Sequence, residues 1–233
     1  MKIIGIIPAR YGSKRLPGKP LIKIKNKSLL ELTFNAVSKS KVFDLIFITT
    51  DSKKIIDLSK SIGAECIRTS KNNQNGTERC AELITKLNMQ IDNHDLIVNI
   101  QCDEPFIQKN HLEKLINLFD TPTKIGTLVA PINKNEINDP SVVKVSIDKN
   151  GDAINFNRNI KKLEKKNKLY KHIGVYAYQK PTLLEIVHLK STKREQEEKL
   201  EQLRWLQNHY QISCQFIKEN LKSINTINDL KNL

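Results

Sequence analysis

Short, continuously apolar runs alternate with longer segments of helical spacing over the first hundred residues, and this alternation restricts the fold more than any other feature. Residues 2–7 form one apolar run, ending at Pro8, and residues 44–50 form a second, ending at Asp51. Cys66-Ile67-Arg68 is a shorter third, and residues 95–100 run into Gln101-Cys102-Asp103-Glu104-Pro105. Between the first two, Ser28-Leu29-Leu30-Glu31 reads as a capping box that opens a helix. Leu29, Leu32, Ala36 and Val37 fall near the spacing of one helix face. Residues 52–62 read as a second helix with Gly63 just beyond its end, and Thr77 is placed to cap a third over 78–87. Such alternation implies right-handed crossovers and a mostly parallel sheet. Strands apolar throughout suit a sheet covered on both faces. The expected fold class is therefore α/β, a doubly wound, mostly parallel sheet. Ligands of such sheets bind beyond the carboxyl ends of the strands. The loops at 9–20, 51 and 101–105 are thus expected to share one cleft.

The second half reads differently. Residues 142–147, the turn Asp148-Lys149-Asn150-Gly151 and residues 153–156 make a hairpin pattern. Residues 157–171 are a polar, lysine-rich loop, and 172–178 a strand. Residues 193–209 read as one charged helix with Leu200, Leu203 and Leu206 as its apolar positions. A late strand at 212–217 precedes the start of a terminal helix at 228–233. Neither an internal repeat nor a linker divides the 233 residues, a length that suits one domain.

Composition narrows the function classes. The apolar runs are far too short to span a bilayer, and no secretory pattern precedes Pro8, so a cytoplasmic protein without membrane insertion is expected. Cys66, Cys80, Cys102 and Cys214 form no C-x-x-C pair, which argues for reduced, mostly buried thiols rather than a zinc or disulfide framework. The formal charge of +14 suits nucleic acid or anionic small molecules. Lysine, asparagine and isoleucine are abundant throughout, however, and no basic stripe is interleaved with aromatics. Specific nucleic-acid binding is not expected.

The run from Ile7 to Pro20 carries the chemistry. Arg10, Arg15 and Lys19 follow the first strand directly, with Gly12 and Gly18 allowing backbone amides to approach a ligand. Arginine forks take phosphate oxygens bidentately and lysine adds a point charge. That set suits a triphosphate, whose charge must be neutralised during substitution at phosphorus. By charge alone a solvated basic loop fits equally well, and the Walker pattern is absent. Asp103 suits either a metal ligand or a turn cap. His172 suits a ligand-facing or a structural histidine, Tyr176 a core residue, and Glu201 and Gln202 an exposed helix face.

Taken in order, the motifs resemble those of the sugar-acid cytidylyltransferases, most closely the CMP-Kdo synthetases (3-deoxy-manno-octulosonate cytidylyltransferases). The basic loop resembles their signature. Asn75-Gly76-Thr77-Glu78-Arg79 resembles S-G-T-D-R, and Asn99-Ile100-Gln101-Cys102-Asp103-Glu104-Pro105 resembles N-x-Q-G-D-E-P. Pro140-Ser141-Val142-Val143-Lys144-Val145 matches P-x-x-V-K-V, and His172-Ile173-Gly174-Val175-Tyr176-Ala177-Tyr178 matches H-x-G-x-Y-A-Y. Glu198-Lys199-Leu200-Glu201-Gln202-Leu203-Arg204 matches E-x-L-E-Q-L-R. The resemblance implies a single nucleotidyltransferase domain over 1–233, with a β-rich lid or dimer arm at about 133–190. It also implies transfer of CMP from CTP to an acidic sugar, with release of pyrophosphate.

Site roles follow from the same resemblance. Pro8, Ala9, Arg10, Ser13, Arg15 and Lys19 would hold the nucleotide, Arg79 and Gln101 would help to read the base, and Arg10, Lys19 and Asp103 would form the catalytic set. Arg158, His172, Tyr176, Glu201 and Gln202 would line the sugar pocket. Mg²⁺ would sit on Asp103. Ser223-Ile224-Asn225-Thr226-Ile227-Asn228-Asp229-Leu230 resembles G-V-D-T-P-E-D-L, so Asn225 stands at a second metal position with a neutral oxygen in place of a carboxylate. Cys102 replaces a glycine, Asn75 a serine, Glu78 an aspartate, and Asn157 the serine before Arg158. A homodimer is implied. The alternatives are a cytidylyltransferase for another ulosonic acid, such as an 8-amino analogue, and a weakened homologue that binds nucleotide without turnover.

Overall fold

β1 (Ile3–Pro8) sends Ile4 and Ile6 into one apolar layer and Ile7 into the other, so it can only be an interior strand. The structure, a computed structural model, describes residues 1–12, 16–87, 91–159, 168–226 and 229–230. Ser13 and Arg15 of the basic loop, and most of the lysine-rich segment and terminal helix, lie outside the described residues. A two-stranded ribbon, β2 (Lys23–Ile24) and β3 (Lys27–Ser28), follows β1 and lies apart from the main sheet. β4 (Leu45–Thr50), β5 (Glu65–Arg68) and β6 (Leu96–Ile100) then extend the sheet in parallel with β1. Helices α1 (Leu29–Ser40), α2 (Lys53–Ser61) and α3 (Gly76–Lys86) are the crossovers between them. The doubly wound, mostly parallel architecture expected from the sequence is thus present.

The caps explain where these helices begin and end. The Glu31 amide donates to Ser28 Oγ at 3.1 Å, as the capping pattern predicts. Gly63, at φ 72°, ends α2 in the left-handed region, where a Cβ is unfavourable. The third cap differs from expectation. Asn75 caps α3 by accepting from the Glu78 amide at 2.8 Å, so the helix begins two residues early. Thr77 lies within α3, and its hydroxyl lies 3.3 Å from that of Tyr178.

Three of the longer elements fall in stretches to which sequence patterning assigned nothing. They are α4 (Lys109–Ile116), β7 (Ile125–Ala130) and α6 (Lys180–Ile186). Each is short, and periodicity does not separate a buried strand from a buried helix at that length. Gly126 sits inside β7 because Leu115, Leu118 and Phe119 press against it, leaving no room for a side chain. A four-residue helix, α5 (Lys134–Ile137), leads to the expected hairpin of β8 (Lys144–Ile147) and β9 (Ala153–Asn157).

β10 (Leu169–Gln179) joins the two halves of the molecule. It begins three residues before the strand expected from sequence, runs antiparallel to both β6 and β7, and pairs through Leu169–Lys171 with β8. Its register with β7 shifts between Ile173 and Tyr176. β11 (Ser213–Phe216) closes the sheet beside β7, giving the order β11-β7-β10-β6-β1-β4-β5.

The charged helix expected at 193–209 is two helices, α7 (Lys193–Glu198) and α8 (Gln202–Gln207). Lys199 breaks them apart at φ 55°. The break buries Leu200 and Leu203 and turns Gln202 inward, at 3% exposure, instead of leaving it on a solvated face. Arg204 spans the break through a two-pronged pair to Glu195 at 2.6 and 2.9 Å. No helix among the described residues is long and apolar enough to cross a membrane.

Candidate active site

A cleft of about 620 Å³ opens at the carboxyl ends of β1 and β6, whereas Asp51, expected to share it, does not line it and instead pairs with Arg79 behind the wall. It is lined by Pro8, Ala9, Arg10 and Lys19 on one side, and by Arg158, His172, Tyr176, Glu201 and Gln202 on the other. Arg79, Gln101 and Asp103 lie between them. The described residues nominated from sequence therefore converge on one site, including four whose sequence setting alone favoured the core or solvent. Asn225 approaches from the C-terminal segment, and its Oδ1 lies 3.4 Å from Lys19 Nζ.

The basic loop after β1 is shaped by its own backbone. Gly18, at φ 66°, donates its amide to Tyr11 O at 3.0 Å and turns the chain so that Lys19 points inward. Lys19 Nζ donates to Asp103 Oδ2 at 2.5 Å, with both side chains largely enclosed. Arg10 stays exposed, with a single long contact of 3.4 Å to Gln74 O. Arg79 is the opposite case. It is buried and bonded to Asp51 at 2.9 Å, to Thr69 at 2.8 Å and to Ser70 O at 3.2 Å. Its fork thus ties the end of β4 to the end of β5 and stiffens the wall formed by Asn75 and Gly76.

The turn after β6 is held by a register shift in β10. There Gly174 turns its polar groups toward the turn: its carbonyl accepts from the Gln101 amide, and its amide donates to Glu104 Oε1, both at 3.0 Å. A Cβ on residue 174 would lie 2.9 Å from Glu104 Oε1 and 3.0 Å from Gln101 Oε1, so any side chain there would displace these carboxylate and amide ends. Glu104 is buried, and both burial and the neighbouring Asp103 charge raise its pKa. Cys102 fits without crowding the ligand side. Its side chain joins the apolar cluster beneath α1 and α4, its carbonyl accepts from Thr33 Oγ1 at 2.8 Å, and burial pushes its thiol pKa upward.

The opposite wall is polar and largely buried. Burial, reinforced by Arg158, drives the His172 pKa down to about 3, so the ring is neutral. Thr127 Oγ1 donates to Val175 O at 2.8 Å and lies 3.0 Å from His172 Nε2. With its one hydrogen so committed, that hydroxyl accepts, and Nε2 carries the ring proton. Nδ1 is left as an acceptor. Burial pushes the Glu201 carboxyl up to about 7, against a hydrogen bond from Thr77 and the charge of Arg204. Tyr176 Oη and Glu201 Oε2 are buried without a hydrogen-bond partner. Orphaned polar atoms lining a cleft are the mark of a site that expects a polar ligand. Arg158 is held at the rim by Glu198 O at 3.1 Å and Pro140 O at 3.1 Å.

Sequence reasoning missed Glu104, Asp51 and Lys171 as parts of the site's frame. Glu104 was visible inside a motif, but nothing local shows that its carboxylate bonds a strand seventy residues away. Asp51 was visible only as the residue ending a strand.

The sheet and the cleft at its carboxyl edge define a nucleotidyltransferase-like α/β fold. The sequence pattern of the family described as cytidylyltransferase matches residues 4–215. A 3-deoxy-manno-octulosonate cytidylyltransferase of Thermodesulfovibrio yellowstonii is 38% identical over 245 residues, spanning 99% of this chain and 96% of its own. Its counterpart in Phocaeicola vulgatus is 39% identical over 247 residues, spanning 99% and 95%. A CMP:2-keto-3-deoxy-manno-octonic acid synthetase solved in complex with CTP superposes with a TM-score of 0.87 at 30% identity, covering 100% of this chain and 96% of that one. The chain belongs to the cytidylyltransferase family and, within it, to the CMP-Kdo synthetases.

Lys19→Ala is expected to lower kcat by about 10²–10³, the usual effect of removing one preorganised group from a developing charge. The melting temperature should fall as well, because Asp103 loses its enclosed partner, but the protein should still fold since Lys19 lies outside the apolar layers. Turnover and thermal melts check this, and near wild-type turnover would remove Lys19 from the site.

Proposed function

We propose that the chain activates Kdo, an eight-carbon sugar acid, by transfer of CMP from CTP. The observation that carries the reading is one cleft with two chemically distinct walls. One wall presents the loop cations Arg10 and Lys19 beside Asp103. The other presents the Arg158 cation and the unpaired Tyr176 and Glu201 oxygens. The first suits a triphosphate and the second a polyhydroxylated carboxylate. In the reaction the sugar's anomeric oxygen bonds to the α-phosphorus of CTP. The bond from that phosphorus to the bridging oxygen breaks, pyrophosphate leaves with the electron pair, and the hydroxyl proton is lost.

This chain's residues supply binding, charge and dryness. Arg10 and Lys19 offset charge on the phosphates, with Ser13 and Arg15 of the same loop as further candidates. Arg79 and Gln101 shape the base side, and Arg158 faces the sugar carboxylate. Neutral His172 offers an acceptor to a sugar hydroxyl, while Gln202 and Glu201 offer both donor and acceptor groups.

Mg²⁺ suits the same centre. The Lys19 ammonium already lies between Asp103 Oδ2 and Asn225 Oδ1, so two hard oxygen atoms face a position that accepts a cation. When bound there with CTP, Mg²⁺ would supply Lewis-acid neutralisation of the phosphate oxygens. The protein is read as a cytoplasmic enzyme. Exposed Ile154 and Phe216, the latter stacked edge-on against Tyr170 near the β8–β9 hairpin, support a homodimer built on the arm at about 133–190.

Pyrophosphate release should be rapid with CTP and Kdo, and slow with ATP or when Kdo is replaced by other ulosonic acids. Equal turnover with ATP overturns the nucleotide assignment, and a preference for an 8-amino analogue overturns the sugar. Asn225→Asp should lower the half-saturating Mg²⁺ concentration, since a carboxylate holds a hard cation better than an amide oxygen. An unshifted Mg²⁺ titration would take residue 225 out of the metal site. Sedimentation should give a dimer over a wide concentration range, and a monomer throughout refutes the arm's role in pairing.

A further inference from the structure

After β11 the chain crosses the carboxyl end of the sheet as a strap, residues 217–226, without helix or strand. Its fastenings come in sequence. The Ile217 amide donates to Val129 O at 2.8 Å, and Glu219 meets His111 Nε2 at 3.2 Å. Ser223 Oγ donates to Glu104 Oε1 at 2.6 Å, and the Ile224 amide donates to Asp103 O at 3.0 Å. Leu221 and Ile224 are buried between these points. The next residue is Asn225, whose Oδ1 lies 3.4 Å from Lys19 Nζ and whose amide donates to Asp229 Oδ2 at 2.8 Å.

The strongest fastening uses Lys171. This lysine is 5% exposed and lies at the start of β10, outside the residues that line the cleft. Its three donor protons match three acceptors: Leu221 O at 2.7 Å, Asn220 Oδ1 at 2.8 Å and Glu136 Oε1 at 2.7 Å. Asn220 Nδ2 returns to Glu136 Oε2. A buried ammonium is costly unless it is fully bonded, and here the bonds go to the strap and to the residue that braces it. The geometry also gives the strap few alternatives. Asn220 and Leu221 are held by one charge, Ser223 and Ile224 by the turn after β6, and Asn225 follows with little freedom left.

We propose that Lys171 is a positioning residue, acting through strap 217–226 to hold the Asn225 side-chain oxygen against the cation position beside Asp103. The inference rests on the reading of Asn225 as a metal-facing oxygen. Lys171 lies outside the residues that line the cleft, so its loss is expected to affect the cation site through the strap and to leave the sugar wall in place.

The test uses the full chain with CTP present and Mn²⁺ as probe, free Mn²⁺ being read by electron paramagnetic resonance. Mg²⁺ titrations of turnover and exchange of the Ile224 amide run alongside. Lys171→Met is expected to weaken Mn²⁺ binding about tenfold, as supporting residues of metal sites do, with the KM for Kdo changed by less than about twofold. Ile224 exchange should speed up. Asn225→Ala should weaken Mn²⁺ binding similarly, and the double variant should be no weaker than Asn225→Ala alone, because both act on one oxygen. A Lys171→Met protein that melts earlier but binds Mn²⁺ like the wild type overturns the inference and leaves the metal reading intact. Fully additive losses overturn it too. If Asn225→Ala binds Mn²⁺ normally, the metal reading falls and the inference falls with it. Should Lys171→Met fail to fold, Ser223→Ala loosens the same strap at its other fastening. It should weaken Mn²⁺ binding by roughly threefold, in the direction expected for a supporting residue, and unchanged binding in that variant counts against the proposal.

Discussion

The Glu104 carboxylate is enclosed in the protein, and three separate parts of the chain meet on it. It belongs to the turn after β6, it accepts the Gly174 amide of β10, and it accepts the Ser223 hydroxyl of the strap. A carboxylate in such a place pays a desolvation cost, visible in the upward displacement of its pKa by burial and by Asp103. That cost is offset while both donors stay in position, and loss of one would leave a buried acceptor short of a partner, at about 1–3 kcal/mol. The register shift in β10 exists at this point, and a side chain on residue 174 would push the Glu104 and Gln101 side chains out of this arrangement. Asp103, next in the chain, inherits its placement from this arrangement. So does Asn225, through the strap.

Charge in the cleft is sorted rather than simply positive. Arg79 is spent on Asp51 and acts as a strut, whereas Arg10 is exposed and open to a ligand. Lys19 is matched to Asp103, with both side chains largely enclosed. His172 is kept neutral by burial and by Arg158, so its wall of the cleft gains no second charge beside the arginine. A net charge of +14 says little about this sorting, since most lysines lie on solvated faces far from the cleft.

Local signals in the sequence were read correctly where one backbone segment decides the outcome. The Ser28 cap, the Gly63 stop and the β8–β9 hairpin depend on a few adjacent residues and appeared as expected. Errors arose where distant packing decides. Residues 193–209 have the spacing of one helix, yet Lys199 adopts a left-handed conformation because Leu200 and Leu203 must enter the core while Glu201 and Gln202 face the cleft. Thr77 has the chemistry of a cap, but Asn75 precedes it and its side chain reaches the Glu78 amide. β7 carries a glycine that weakens its strand signal, and the reason for that glycine is the close approach of Phe119 and Leu118.

By itself, the sequence determined the α/β class, the loops that form the cleft and the motifs that join this chain to the CMP-Kdo synthetases. Apolar periodicity, caps and motif order are properties of neighbouring residues, so a linear reading captures them. Tertiary structure alone decided which candidates become struts and which face the ligand, why residue 174 is glycine, and how a C-terminal strap brings Asn225 to a turn over a hundred residues earlier. Those outcomes depend on desolvation and on hydrogen bonds between segments far apart in sequence. A buried carboxylate or ammonium is tolerated only where the folded chain supplies its partners, and no local pattern records which partners those are.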